Sequence, residues 1–171
     1  MSAFTHTALV WNILESQGIP GVLDVVPAPW TIVKIHKTER GQARRIAAAL
    51  WGSQMALNFL KIVVVVEEDI DIRNFREVQW AILNYVDPKE GIVVFPGTGG
   101  STLDPSQSTE DSDELIYGAG KMNRLLIDAT IDWETHPKRK EWGNKRFPPK
   151  CTAALPEIQE LVKTRWREYG F

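Results

Sequence analysis

Glu67-Glu68-Asp69-Ile70-Asp71 places four carboxylates directly after a run of valines. Oxygen ligands of this type suit Mg²⁺, and Asp69, Asp71 and Asp128 are the residues that such a site would use. A local role competes with that chemistry. Asp71 or Asn74 can cap the following helix, and Asp69 would sit well near its positive end. Capping needs no further ligand and is the preferred reading of the cluster alone. A second candidate, Gly97-Thr98-Gly99-Gly100-Ser101-Thr102, could turn backbone N–H groups toward an anion. The dinucleotide fingerprint needs a glycine where Thr102 stands, and no Lys-Ser/Thr pair follows to make a phosphate loop. A turn or a loop lining an interface fits better. Cys151 lies between Lys150 and Thr152 with His136 upstream and no orienting acid, so nucleophilic catalysis has no support. The basic stretch 138–146, with Trp142 and Phe147, reads as a solvated arm that docks on an acidic neighbour, in preference to a single-strand nucleic-acid surface.

Composition narrows the classes further. The 171 residues are enough for one domain of ordinary size, and 43% hydrophobic with 25% charged residues is the balance of a globular chain. A net charge of −2 gives no general pull toward nucleic acid or anionic membrane. One cysteine excludes an internal disulfide and a cysteine-only zinc site, and His6, His36 and His136 form no ligand pair at useful spacing. No apolar run is long enough to cross a bilayer, and residues 1–7 lack a secretory pattern. A reducing cytoplasm is the expected compartment. The seven tryptophans are expected to pack a core or an interface.

The elements that must position these residues follow from periodicity. Val10, Ile13, Leu14 and Gln17 predict a helix over 5–17, closed by Gly18. Val22–Val26 and Thr31–Ile35 read as two strands separated by Pro27-Ala28-Pro29, in a hairpin or a bend. Ala43, Ile46, Ala47, Leu50 and Trp51 give an amphipathic helix over about 39–51. Lys61–Val66 reads as a strand buried on both faces. A helix over 74–84 follows, with Phe75, Val78, Gln79 and Ile82 on its inner face, and then a short buried strand, Ile92–Phe95. Strand, helix and strand at this spacing predict a parallel crossover. Residues 96–114 read as a long loop, 125–127 as a strand ending in Asp128-Ala129-Thr130, and 155–169 as a helix. The expected architecture is one mixed α/β (α+β) domain over 1–171, with a partly parallel sheet covered by helices and an extended C-terminal arm from 136.

Several short motifs then resemble one family. Val66-Glu67-Glu68-Asp69-Ile70-Asp71, Val78-Gln79-Trp80-Ala81 and Val86-Asp87-Pro88 are similar to the C-terminal domain of UbiD-type decarboxylases. Gly18-Ile19-Pro20-Gly21-Val22 and Gly41-Gln42-Ala43-Arg44 precede them. Leu103-Asp104-Pro105-Ser106 and Ile127-Asp128-Ala129-Thr130 follow, in the family's order, so the resemblance covers about residues 5–135. Two departures stand out: Tyr85 replaces an arginine common in the family, and Glu67 replaces the usual first Asp.

The resemblance implies a carboxy-lyase acting on aromatic or α,β-unsaturated carboxylic acids with prenylated FMN. The cofactor and the Glu-Arg-Glu proton network belong to an N-terminal domain to which no segment here corresponds. The expectation is therefore a small or accessory subunit, or a fragment, that binds no cofactor alone. It would shape the substrate pocket and assemble with a larger cofactor-bearing subunit as a homo- or hetero-oligomer. Thr98, Gly99, Ala129 and Thr130 are the candidate substrate-binding residues, with no catalytic or metal residue assigned. The alternative is a purely structural oligomerisation module. A cofactor-independent enzyme using Asp69, Asp71 and Asp128 around a metal ranks last, because no histidine or paired carboxylate of acid-base character accompanies them.

Overall fold

The fold is taken from a computed structural model that describes residues 3–53, 60–100, 104, 106, 121–131, 139–140, 144 and 156–170. It divides into two compact units, Met1–Thr130 and Ile131–Phe171.

The first unit opens with helix α1 (Ala3–Ser16). Its end is set by Gly18 at φ 61°, where Ile19 N donates to Leu14 O and Gly18 N to Glu15 O. This is the Schellman pattern, with Ile19 and Leu14 buried together in the core beneath it. Strands β1 (Val22–Val26) and β2 (Thr31–Ile35) pair antiparallel, so of the hairpin and the bend that the sequence allows it is the hairpin that forms. Helix α2 (Gln42–Trp51) buries Gln42, Ala43, Ile46, Ala47, Leu50 and Trp51, close to the face expected.

Strand β3 (Ile62–Glu67) holds the middle of the sheet, with Val63 to Val66 wholly buried. Side chains alternate across a strand. Val63 and Val65 join α1 and α2 in the core cluster, so Val64 and Val66 face the opposite side. Helix α3 (Phe75–Tyr85) begins at Asn74, whose side chain accepts from Arg76 N, so Asn74 is the cap. Its buried face is Val78, Ala81 and Tyr85, and it packs on β5 (Lys121–Ala129). Phe75 and Gln79, expected on the inner face, are exposed. Phase explains the difference: the 78–81–85 stripe, not the 75–79–82 stripe, meets the sheet.

A one-turn helix, α4 (Pro88–Gly91), leads into β4 (Ile92–Gly99). The strand order is β1-β2-β3-β5-β4. β2, β3 and β5 are mutually parallel, while β4 runs antiparallel to β5 at the sheet edge. The expected crossover from β3 through α3 to Ile92–Phe95 is therefore corrected, since β5 occupies the place beside β3. The short apolar run of β4 is also mostly exposed, with Val94 at 60%. A brief run of this kind does not encode its neighbours. β5 carries apolar residues on both faces over nine positions, which suits a strand with two partners. The predicted loop starts later than expected as well. β4 continues through Pro96 and Gly97 by a register shift between Phe95 and Thr98, an arrangement an edge strand tolerates.

In the second unit, the described helix is α5 (Pro156–Thr164), followed by a 3-10 turn at Trp166–Tyr169. The single helix expected over 155–169 is thus broken at Arg165. Ile158, Leu161, Trp166 and Tyr169 are exposed on it. Among the described residues no helix is long and apolar enough to cross a membrane.

Candidate functional site

Three parallel strands end on one edge, where ligands collect in open α/β sheets. β2 delivers His36 and Lys37, β3 delivers Glu67, Glu68 and Asp69, and β5 delivers Asp128, Ala129 and Thr130. Lys37 Nζ donates to Thr130 Oγ1 at 2.9 Å. Thr130 Oγ1 donates to Asp128 Oδ1 at 2.6 Å, and Thr130 N donates to the same oxygen at 3.0 Å. His36 Nδ1 lies 2.9 Å from Glu68 Oε2 at the exposed rim. Tyr85, at the end of α3, stacks edge-on against Trp80 at 5.2 Å. Burial raises its phenol pKa, and the nearby charges of Asp69 and Glu67 add to the effect. Among the described residues the edge is thus acidic, with the Lys37 ammonium tied into it.

Thr98 and Gly99 lie elsewhere. Thr98 pairs with Met122 near the start of β5, while Ala129 closes that strand. Seven residues at about 3.3 Å each put the two positions about 23 Å apart. Ala129 and Thr130 therefore come together with Asp128 and Lys37, whereas Thr98 and Gly99 form a separate group at the opposite end of the sheet. There, Arg124 is 1% exposed. Its Nε donates to Thr98 Oγ1 at 2.8 Å, and its guanidinium also donates to Leu60 O at 2.9 Å and Gly99 O at 3.2 Å. Burial lowers its pKa. Lys61 Nζ nearby in sequence donates to Asp104 Oδ2 and Ser106 Oγ at 2.8 and 2.7 Å.

This group also answers the anion-loop question. Thr98 Oγ1 donates to Met122 O, Gly97 N donates to Asn123 Oδ1, and Gly99 pairs with Lys121 in the ladder. The glycine stretch spends these groups inside the sheet, so residues 97–99 form no phosphate cradle. Asp71 is exposed and accepts from Arg73 N as part of the turn before α3. Among the described residues no three His, Cys, Asp or Glu side chains come together as a metal set, Asp69, Asp71 and Asp128 included. Ser101, Thr102, Cys151, His136 and most of 138–146 lie outside the described residues. Lys37 and Arg124 escaped sequence reasoning. The available signals were a cation two positions past a strand and an arginine at a buried position between apolar residues of another.

With this geometry in hand, the comparisons decide the family. The model of the 3-octaprenyl-4-hydroxybenzoate carboxy-lyase C-terminal domain matches residues 1–129. The chain belongs to this UbiD C-terminal domain family. Among sequence relatives, an uncharacterized protein of Archaeoglobus fulgidus is 37% identical over 80% of this chain and 25% of its own length. One from Aeropyrum pernix is 33% identical over 89% of this chain and 29% of its own. Among solved structures, the apo 3,4-dihydroxybenzoic acid decarboxylase of Klebsiella pneumoniae matches with a TM-score of 0.67 at 22% identity, covering 99% of this chain and 33% of that one. The UbiD-class enzyme HmfF from Pelotomaculum thermopropionicum, solved with FMN, matches at 0.63 and 21% identity, covering 94% and 32%. These likenesses show the UbiD C-terminal fold. The chain spans about a quarter to a third of the length of the proteins it matches.

Proposed function

We propose that this chain is the C-terminal, pocket-shaping part of a UbiD-type carboxy-lyase for aromatic or α,β-unsaturated carboxylic acids. It assembles with a larger cofactor-bearing part that holds prenylated FMN. The supporting observation is family membership over residues 1–129, joined to a polar edge built at the ends of three parallel strands. The matched region is a minority of each relative, which favours a division of labour between this chain and the rest of the enzyme. When bound, the cofactor supplies the electron sink for loss of CO₂. This chain's share is to line the pocket, orient the acid and exclude water. Ala129 and Thr130 are the first candidate lining. Thr98 and Gly99, at the other end of the sheet, are a second surface that is tested separately. Residence in a reducing cytoplasm is part of the same reading, supported by the single cysteine.

The test starts with a pull-down of the native chain. A larger flavin-bearing polypeptide should accompany it, while the chain alone should be colourless and inactive. In the assembled enzyme, CO₂ release from 4-hydroxybenzoate, 3,4-dihydroxybenzoate and cinnamate is then measured for Thr130→Trp and Thr98→Trp. Lost turnover with preserved assembly supports a lining role for the residue changed. Unaided CO₂ release by the isolated chain would overturn the proposal. A purely structural module is the second reading, favoured by the exposed Ile158, Leu161, Trp166 and Tyr169 of the C-terminal unit. It predicts that both tryptophan variants turn over normally once assembled.

A further inference from the structure

The hydroxyl of Thr130 has two partners of fixed polarity. Lys37 can only donate to it, and Asp128, as a carboxylate, can only accept from it. The hydroxyl proton therefore points at Asp128 Oδ1 and a lone pair at Lys37 Nζ. Thr130 is 5% exposed, so this rotor is set by its two partners with little competition from water. Lys37 stands two positions past β2, and β3 separates β2 from β5 in the sheet. Its side chain thus reaches over the end of β3, two strand spacings or about 10 Å, to make the contact. The same edge holds the carboxylates of Glu67, Glu68, Asp69 and Asp128. Lys37 fixes a cation among these carboxylates, which favours the approach of an anionic substrate.

We infer that Lys37 is a positioning residue for the acid substrate. Its ammonium offsets the carboxylates of the edge, and it fixes the Thr130 hydroxyl so that, with the proton held by Asp128, the remaining lone pair can accept from a substrate donor such as a phenol O–H. This rests on the reading that Ala129 and Thr130 line the pocket, so the experiment separates the two. The assembled, cofactor-loaded enzyme is assayed for CO₂ release with 4-hydroxybenzoate, 3,4-dihydroxybenzoate and cinnamate. The acid with the highest kcat/KM is then followed. Lys37→Met is expected to raise KM about ten-fold with kcat within about two-fold, because binding and not the chemical step is affected. Lys37→Arg keeps a donor and a charge and should return KM to within about three-fold of wild type. Added salt should narrow the gap between Lys37→Met and wild type. Thr130→Val removes the same hydrogen bond without removing the charge, and should raise KM even where Lys37→Met fails to assemble. Unchanged KM in both Lys37→Met and Thr130→Val overturns the inference alone. Normal turnover by Thr130→Trp, or no turnover of any of the three acids by wild type, overturns the pocket reading beneath it.

Discussion

Arg124 Nε donates to Thr98 Oγ1 at 2.8 Å, and through that bond the interior strand β5 fixes the irregular end of the edge strand β4. The same guanidinium reaches Leu60 O, just before β3, so one buried cation stitches three consecutive strands. Burial lowers its pKa, yet the hydrogen bonds to carbonyl and hydroxyl oxygens replace the water it has lost.

Removing it should therefore be costly. Arg124→Met would leave the Leu60 and Gly99 carbonyls and the Thr98 hydroxyl without that donor. Bonds to a charged group contribute about 1.5–3 kcal/mol, so the loss should be about 3 kcal/mol or more. Urea unfolding of the chain, compared with Thr98→Val, checks this. Thr98→Val removes one of the Arg124 bonds and the bond to Met122 O, and should cost less, about 2 kcal/mol.

The position of β4 makes a sharper contrast. Val94 and Val64 are the same residue type in similar apolar runs, yet Val94 is largely exposed on the edge and Val64 is wholly buried in β3. Val94→Lys should shift stability by no more than about 0.5 kcal/mol, as surface changes do. Val64→Lys forces an unpaired ammonium into the core and should cost more than about 4 kcal/mol, a large share of the ~5–15 kcal/mol that holds an ordinary domain together. Equal effects in urea titrations would show that β4 is no edge strand.

That contrast also marks where sequence reading stops. The strands β1 and β2, α2, β3 and, as one of two candidates, the Asn74 cap were legible because each rests on local periodicity or a single side chain's chemistry. The order β3-β5-β4 was not, because pairing partners are a property of the whole chain and a four-residue apolar run fits an edge as well as a centre. The acidic strand ends and Asp128-Ala129-Thr130 could be seen as a sheet edge from spacing. Lys37 could not, since its contact with Thr130 exists only once β3 lies between β2 and β5. Thr98 and Gly99 looked like loop residues because Pro96 and Gly97 usually end a strand, and the register shift that carries β4 past them leaves no sequence signal.

Acid should loosen the tie of Lys61 to Asp104. The Lys61 ammonium, with help from Ser106, holds the Asp104 carboxyl at about 2, below its ordinary value of 3.8. A carboxyl depressed in the folded state stabilises it above its unfolded pKa and stops doing so as pH falls through the folded value. The contribution should be whole from pH 7 to about 5 and be lost progressively between about pH 5 and 1. Asp104→Asn removes it. The difference in urea midpoint between wild type and Asp104→Asn should therefore be flat above about pH 5, fall to a small remnant at about pH 2 and be gone near pH 1. A gap at pH 2 as large as that at pH 7 would locate the effect in something other than this ion pair.

Two glycines on either side of Pro20 separate backbone strain from crowding. Gly18 and Gly21 both have positive φ, 61° and 70°. A Cβ on Gly18 would meet nothing within 4 Å, whereas one on Gly21 would collide with the His36 carbonyl oxygen. That oxygen belongs to rigid backbone, because His36 N donates to Gly21 O at 2.8 Å where β2 leaves the sheet toward Lys37. Gly18→Ala should cost about 1–2 kcal/mol, the strain of a left-handed alanine. Gly21→Ala adds the collision, and relieving it means breaking the His36 bond, so the cost should exceed about 3 kcal/mol. Hydrogen exchange at the His36 amide distinguishes the two. It should stay slow in Gly18→Ala and become fast in Gly21→Ala, and because His36 precedes Lys37, Gly21→Ala should also displace the Lys37 ammonium from Thr130.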